Sequence, residues 1–277
     1  TRMAEEASIS ALMDRVARTA PFHRELAKLG TEEQAVFDHT SLPGVPFVAA
    51  LCIRTLPDTA RAWVVAPHLR AQEALAAQLE TWGVRHLLFI PEKEVALGEE
   101  MGDPELAAER LNILHRISSS RTGGQTIILT EGSLNDEVPS PDGMQNQGIT
   151  LKTGETHAPD DLIRQFGEAG FEGVPQVISR GQWSRRGGIL DVFPLQSSHP
   201  VRLEFFDDEI ESIREFDVDS QISFRKAEHV NLILTEAEGA ETLRDWIKPG
   251  DLVITAPFCK ERGNVCILTS PPENAAG

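Results

Sequence analysis

The chain has 277 residues, 40% of them hydrophobic, which is enough for two or three units each with its own core. Its formal charge of -17 argues against general binding to nucleic acid, because phosphate backbones are held mainly by Lys and Arg; the complete lack of Tyr points the same way. Three scattered cysteines, Cys52, Cys259 and Cys266, and eight dispersed His offer no paired metal-ligand spacing and no disulfide framework, so no metal and no cofactor are expected. No run of about 18 uncharged apolar residues is present. The start, Thr1-Arg2-Met3-Ala4-Glu5-Glu6, lacks the basic-then-apolar plan of a secretion signal, and a cytoplasmic protein is expected.

Along the chain, residues 8-29 carry apolar residues at helical spacings broken by Pro21, which predicts two short helices. Ala62-Trp63-Val64-Val65 suits a buried strand. Leu75, Leu79 and Trp82 then form a helical stripe closed by Gly83. The pattern repeats with a strand at 86-90. A helix follows, opened by an Asp103 cap and Pro104 and carrying Leu106, Leu111, Leu114 and Ile117; Thr126-Thr130 makes a third strand. Residues 45-130 therefore read as an α/β unit with a parallel sheet.

A Pro/Gly/Ser-rich stretch near 135-147 marks a boundary. Beyond it the pattern predicts a strand at 148-153 and a helix at 159-169 closed by Gly170. Strands follow at 174-180, 188-193, 201-206 and 210-216, a small α+β domain ending near 225. The remainder carries strand signals at 229-234, 251-256 and 265-269, a helix near 240-247 and a polar tail. Three segments result: 1-140, 148-225 and 226-277.

The chemistry of a nucleotide enzyme is missing. No G-x-x-x-x-G-K-[ST] loop occurs, and where it would stand the chain has Leu42-Pro43-Gly44-Val45-Pro46, with one Gly, no Lys and two Pro that lack N–H donors. The acids Asp160-Asp161 and Asp207-Asp208-Glu209 read as helix-start electrostatics and a hairpin turn. No catalytic residue is assigned.

Between 180 and 202 lie Arg180, Arg185, Arg186 and Arg202 against a single acid, Asp191, a local reversal in an acidic chain. In Val201-Arg202-Leu203-Glu204-Phe205-Phe206, alternation sends Val201, Leu203 and Phe205 to the core and Arg202, Glu204 and Phe206 to the opposite face. Arg beside an aromatic is a pair enriched in interface hot spots; the competing reading packs Phe206 under another strand and pairs Arg202 with a nearby acid.

The same segment carries a resemblance. Arg186-Gly-Gly-Ile-Leu-Asp-Val-Phe-Pro194 and the stretch from Val201 to Asp217 resemble the interaction domain shared by the excinuclease component UvrB and the bacterial transcription-repair coupling factors. Weaker similarity runs through 89-93, 109-116, 160-162 and 167-171, covering about residues 40-235 in all. The missing P-loop and Tyr-rich hairpin favour the coupling factor. The resemblance implies a degenerate ATPase-like domain with an inserted domain that binds the excinuclease component UvrA through Arg186, Arg202 and Phe206. It also implies a non-enzymatic role, with RNA polymerase and DNA contacted only through regions this chain lacks. A vestigial ATP-binding helicase-superfamily domain and a damaged-DNA binder remain the rival readings.

Overall fold

The computed structural model describes residues 2-31, 33-57, 59-92, 104-120, 124-145, 148-234 and 241-269. In chain order the first part holds helices α1 (Arg2–Ala17) and α2 (Ala20–Leu26), strand β1 (Ala35–Phe37), α3 (Val45–Ile53), β2 (Ala62–Ala66), α4 (Leu69–Thr81), β3 (Leu87–Phe89), α5 (Pro104–Ser119) and β4 (Thr126–Thr130). Then come β5 (Glu137–Val138), α6 (Pro141–Gln145), β6 (Gly148–Lys152), α7 (Pro159–Glu168), β7 (Glu172–Gly173), β8 (Gln182–Arg186), β9 (Ile189–Phe193), β10 (Val201–Phe206), β11 (Glu209–Phe216), β12 (Ser223–Ala227) and β13 (His229–Ile233). The last strands are β14 (Glu241–Thr242), β15 (Leu252–Thr255) and β16 (Val265–Ile267).

These elements fall into two compact units. The first takes Thr1–Lys93, Ser120–Glu137 and Glu241–Gly277, and the second takes Glu94–Ser119 and Val138–Ala240. The fold is α/β with an inserted, mainly antiparallel unit, because the chain leaves the first sheet after β4 and returns to it at β15.

The first unit is a six-stranded sheet in the order β1-β16-β15-β2-β4-β3, and its strand pairs run parallel. Its central strands β2 and β4 are buried at every position, as the near-continuous apolar runs require of a sheet covered on both faces. Helix α3 is buried from Val45 through Cys52 except Phe47, matching a sequence that is apolar all round. Pro21 stands at the start of α2, so the break between the first two helices is where the sequence places it. Gly83 and Gly170 take positive φ just past α4 and α7, which only Gly does without steric cost.

The second unit is built on the sheet β12-β11-β10-β9-β8-β7 and the pair β13-β6. One face of the large sheet packs Leu190, Val192, Val201, Leu203 and Ile213 against Leu162 and Phe166 of α7. On the other face Phe193 and Phe216 form a smaller cluster with Val177.

Four local expectations are corrected. Residues 174-180 form no strand: only the two-residue β7 precedes them, and the ladder instead uses 182-186, where the hairpin turn Gly187-Gly188 fixes the register to β9. The 240-247 helix is a single 3-10 turn, Leu243–Trp246, opened by a Thr242/Asp245 capping box and followed by Pro249. Strand 229-233 pairs antiparallel with β6, so it completes the second unit instead of opening a third segment, and that unit extends past 225. Helix α5 likewise groups with the second unit and not with residues before 93, through α6 and through His115, which meets the amide of Asn231. The expected Asp103 cap lies outside the described residues.

Candidate protein-binding site

The outer face of the second sheet gathers the residues singled out in the sequence. Alternation along β10 buries Val201, Leu203 and Phe205, leaves Arg202 and Glu204 half-buried, and exposes Phe206, which is 68% accessible. The backbone ladder sets Ser184, Asp191, Arg202, Arg214 and Lys226 side by side across five strands. One step along, Arg186 pairs with Ile189, and Ile189 with Glu204.

Asp191 is the hinge of this face. It is 0% exposed, yet its carboxylate is fully engaged. Arg202 donates from Nε to Oδ1 at 2.8 Å and from Nη2 to Oδ2 at 3.0 Å, and Arg186 donates from Nη2 to Oδ2 at 2.8 Å. Burying a carboxylate without such partners would cost several kcal/mol, so these charge-assisted bonds are what allow an acid inside the otherwise apolar strand β9. The Asp191 carboxylate in turn raises the guanidinium pKa of Arg202 above its ordinary value, against the opposing effect of burial.

Arg202 is held from further sides. Its guanidinium lies 4.5 Å from the centroid of the Phe216 ring, a cation–π contact, and Nη1 donates to the Gln221 carbonyl at 3.3 Å. Gln221 sits at a positive φ of 60° and fastens the loop by donating from Nε2 to the carbonyls of Val218 at 2.7 Å and Val177 at 3.2 Å. Glu204 is drawn to its other neighbours, accepting from Ser212 and lying 3.5 Å from Arg214.

The structure thus brings Arg186 and Arg202 together on one carboxylate and places Phe206 on the same face, four residues or about 13 Å beyond Arg202 along the strand. Arg202 pairs with an acid, as one of the two sequence readings had it, and only 15% of its side chain is accessible, against 52% for Arg186. The other two arginines of the basic stretch are used elsewhere. Arg180 stacks 5.3 Å over Phe193 and donates to the Ser197 carbonyl, and Arg185 pairs with Asp160 at the start of α7.

Sequence reasoning noted Asp191 only as the lone acid among arginines. Its position inside Ile189–Phe193, where every neighbour is apolar, is the signal that could have marked it as a buried ion-pair centre. Phe216 and Gln221 had no such signal, since they reach Arg202 only through the strand order.

The first unit holds a different concavity, a cleft of about 430 Å³ at the carboxyl ends of β2 and β15, where open parallel sheets bind ligands. Its walls include Pro43, Pro46, Pro67, Leu75 and Phe258, and none of its lining residues is Lys or Arg. The turn that would cradle a phosphate is a 3-10 turn, Leu42–Gly44, running directly into α3 with a proline in its first turn. These residues do not fit a nucleoside triphosphate, because they supply an apolar wall where the phosphates need N–H donors and a cation.

Residues 149-236 match the UvrB interaction domain. That window contains Arg186, Asp191, Arg202 and Phe206 with the strands that carry them. The chain is also 32% identical over 172 residues to the transcription-repair-coupling factor of Haemophilus influenzae, covering 61% of this chain and 15% of that protein. It is 35% identical over 129 residues to that of Escherichia coli (47% and 11%) and 31% identical over 149 residues to that of Bacillus subtilis (53% and 12%). The chain is thus similar to transcription-repair-coupling factors over 47–61% of its length and contains a segment that matches the UvrB interaction domain, while it spans a small part, 11–15%, of the length of these relatives. No helix among the described residues is long and apolar enough to cross a membrane.

Proposed function

We propose that this chain is a non-catalytic docking module that recruits the excinuclease component UvrA and so links stalled transcription to nucleotide excision repair. Arg186, Arg202 and Phe206 are the contact residues in this reading. The observation that carries it is the outer face of the second unit. A bulky aromatic, Phe206, stands 68% exposed on a face whose centre holds two guanidinia on one carboxylate, within a chain of net charge -17. Phe258 and Ile222 are about as exposed, so exposure alone does not single this ring out; its place on the face of the fixed Arg donors does, since an aromatic anchor with Arg beside it is the usual make-up of an interface hot spot. The match of this same stretch to the UvrB interaction domain, and the likeness to coupling factors, support the choice of partner.

The non-catalytic part of the reading is supported by the cleft of the first unit, whose apolar wall without Lys or Arg does not fit a triphosphate. RNA polymerase and DNA are not assigned to this chain.

The test is equilibrium binding of the purified chain to UvrA, compared with Arg186→Ala, Arg202→Ala and Phe206→Ala. Each truncation is expected to weaken binding by about 2 kcal/mol, or roughly 30-fold. Wild-type affinity in all three variants would overturn the proposal.

A further inference from the structure

We propose that Asp191 is the positioning residue of this docking face, fixing Arg186 and Arg202 in one geometry so that together they present a single net positive charge to an acidic group of the partner. The inference rests on the reading of the face as the UvrA-binding surface and adds to it a residue that does not itself touch the partner.

The geometry is specific. Asp191 is wholly buried, so no partner can reach it, and each of its two oxygens is occupied. Oδ1 takes Arg202 Nε, while Oδ2 is shared between Arg202 Nη2 and Arg186 Nη2 at 3.0 and 2.8 Å. The shared oxygen couples two side chains from different strands, β8 and β10, that have no ladder pairing with each other. Without it, Arg186, half exposed and at the end of its strand, would keep the rotamer freedom of a surface arginine, which binding must then freeze out.

The charge balance points to the partner's chemistry. Two guanidinia share one carboxylate, and the next acid on the face, Glu204, is engaged by Ser212 and Arg214. One unit of positive charge is left over, at the more exposed Arg186. The N–H groups of Arg186 not used on Asp191 are aimed by that contact, and a carboxylate matches a guanidinium fork in both charge and shape. A neutral polar group would leave that charge unbalanced, and an aromatic ring would use the guanidinium face and not its N–H fork.

Asp191→Asn is the discriminating variant, since it keeps the size of the side chain. The amide still accepts from Arg202 through its oxygen, but its NH2 faces donors where Oδ2 had accepted from both arginines, so Arg186 is released and the face gains a second uncompensated positive charge. Binding kinetics to UvrA should then split: dissociation faster by about tenfold, association unchanged or faster at low salt, because buried charge partners act on koff while net charge acts on kon. A merely structural defect would lower the active fraction and leave the koff of the remainder as in wild type. Wild-type koff in folded Asp191→Asn protein overturns the inference, provided Phe206→Ala has lost binding. If Phe206→Ala and both Arg→Ala variants bind normally, it is the docking reading that fails.

Should Asp191→Asn not fold, the wild-type chain gives the answer by itself. The Nε–H resonance of Arg202, identified by its loss in Arg202→Lys, should be resolved and slow to exchange with water, whereas a signal at the position and exchange rate of free arginine would overturn the inference.

Discussion

Arg202 and Phe216 sit on adjacent antiparallel strands with the guanidinium 4.5 Å from the ring centroid, although the ladder pairs Arg202 with Arg214 and not with Phe216. The side chain leans along the strand toward the small apolar cluster of Val177, Phe193 and Phe216, and this carries it out of solvent. Arg202 therefore has a structural share that Phe206 lacks. The Arg202→Ala variant should destabilise the second unit by about 2–3 kcal/mol, because it strips two of three charged donors from a buried carboxylate and uncovers the Phe216 ring. Phe206→Ala should change stability by less than about 0.5 kcal/mol. Urea unfolding of the two variants checks this, and equal midpoints would contradict it.

The contrast decides how binding data on these variants are read. A loss of affinity in Phe206→Ala reports the interface alone, whereas in Arg202→Ala it mixes contact with folding, so Arg202→Lys, which keeps the charge but not the fork on Asp191, is the better companion.

A second prediction concerns nucleotides. Thermal unfolding in the presence of millimolar ATP and Mg should leave the melting temperature of the chain unchanged, because the cleft at β2 and β15 is walled by Pro43, Pro46 and Pro67 and lined by no cation. A ligand at about 100 times its dissociation constant adds about 2.7 kcal/mol, so a genuine site would be plain in the melting curve. A reproducible upward shift with ATP would overturn the prediction.

How far the sequence could be read depended on the range of the interactions. Period and punctuation located α4, α7, β2, β4 and β10, since Gly83, Gly170 and the alternation of Val201 to Phe206 are local signals. Strand β1 is three residues long and held by pairing to Val265–Ile267, more than 200 residues away, so nothing near Ala35 announces it. Residues 174-180 looked like a strand because Val174, Val177 and Ile178 are apolar and β-branched. In the fold Val177 instead packs in the small cluster with Phe193 and Phe216, and Ile178 is exposed. At the site, alternation put Arg202 and Phe206 on one face, but the burial of Arg202 depended on Asp191 and Phe216, contributed by the strands on either side of it.

The cysteines give a third prediction. Burial pushes the thiol pKa of Cys52 up to about 12, and burial with the nearby negative charge of Glu131 does the same for Cys259, whose Sγ donates to the Val65 carbonyl at 3.4 Å. Cys266 is buried between Thr255 and Gly263. At pH 8 the native protein should react only slowly with a chromogenic disulfide, since the thiolate is the reacting form, and all three thiols should titrate at once in denaturant. A fast-reacting thiol in the native state would show that one of these sites opens readily.

The last prediction is an acid transition in the first unit. Glu25 of α2 accepts from Lys28 Nζ at 2.8 Å, from the backbone N–H of Val36 in β1 at 2.9 Å and from Arg24 Nε at 3.2 Å, and so ties the helix to the edge strand. These bonds, led by the one from Lys28, lower its pKa from 4.5 to about 2 despite burial. A depressed folded-state pKa means that the contribution is complete above pH 4.5 and is lost as pH falls from there through about 2. The full shift overstates the energy, because Arg24 is mostly in solvent and Lys28 partly so, which leaves about 1 kcal/mol. Glu25→Gln should therefore lower the melting temperature at pH 7 by about 2–4 °C, with the gap from wild type closing as pH falls toward 2. A gap that stays constant over that range would mean that packing around residue 25, and not its charge, holds α2 to β1.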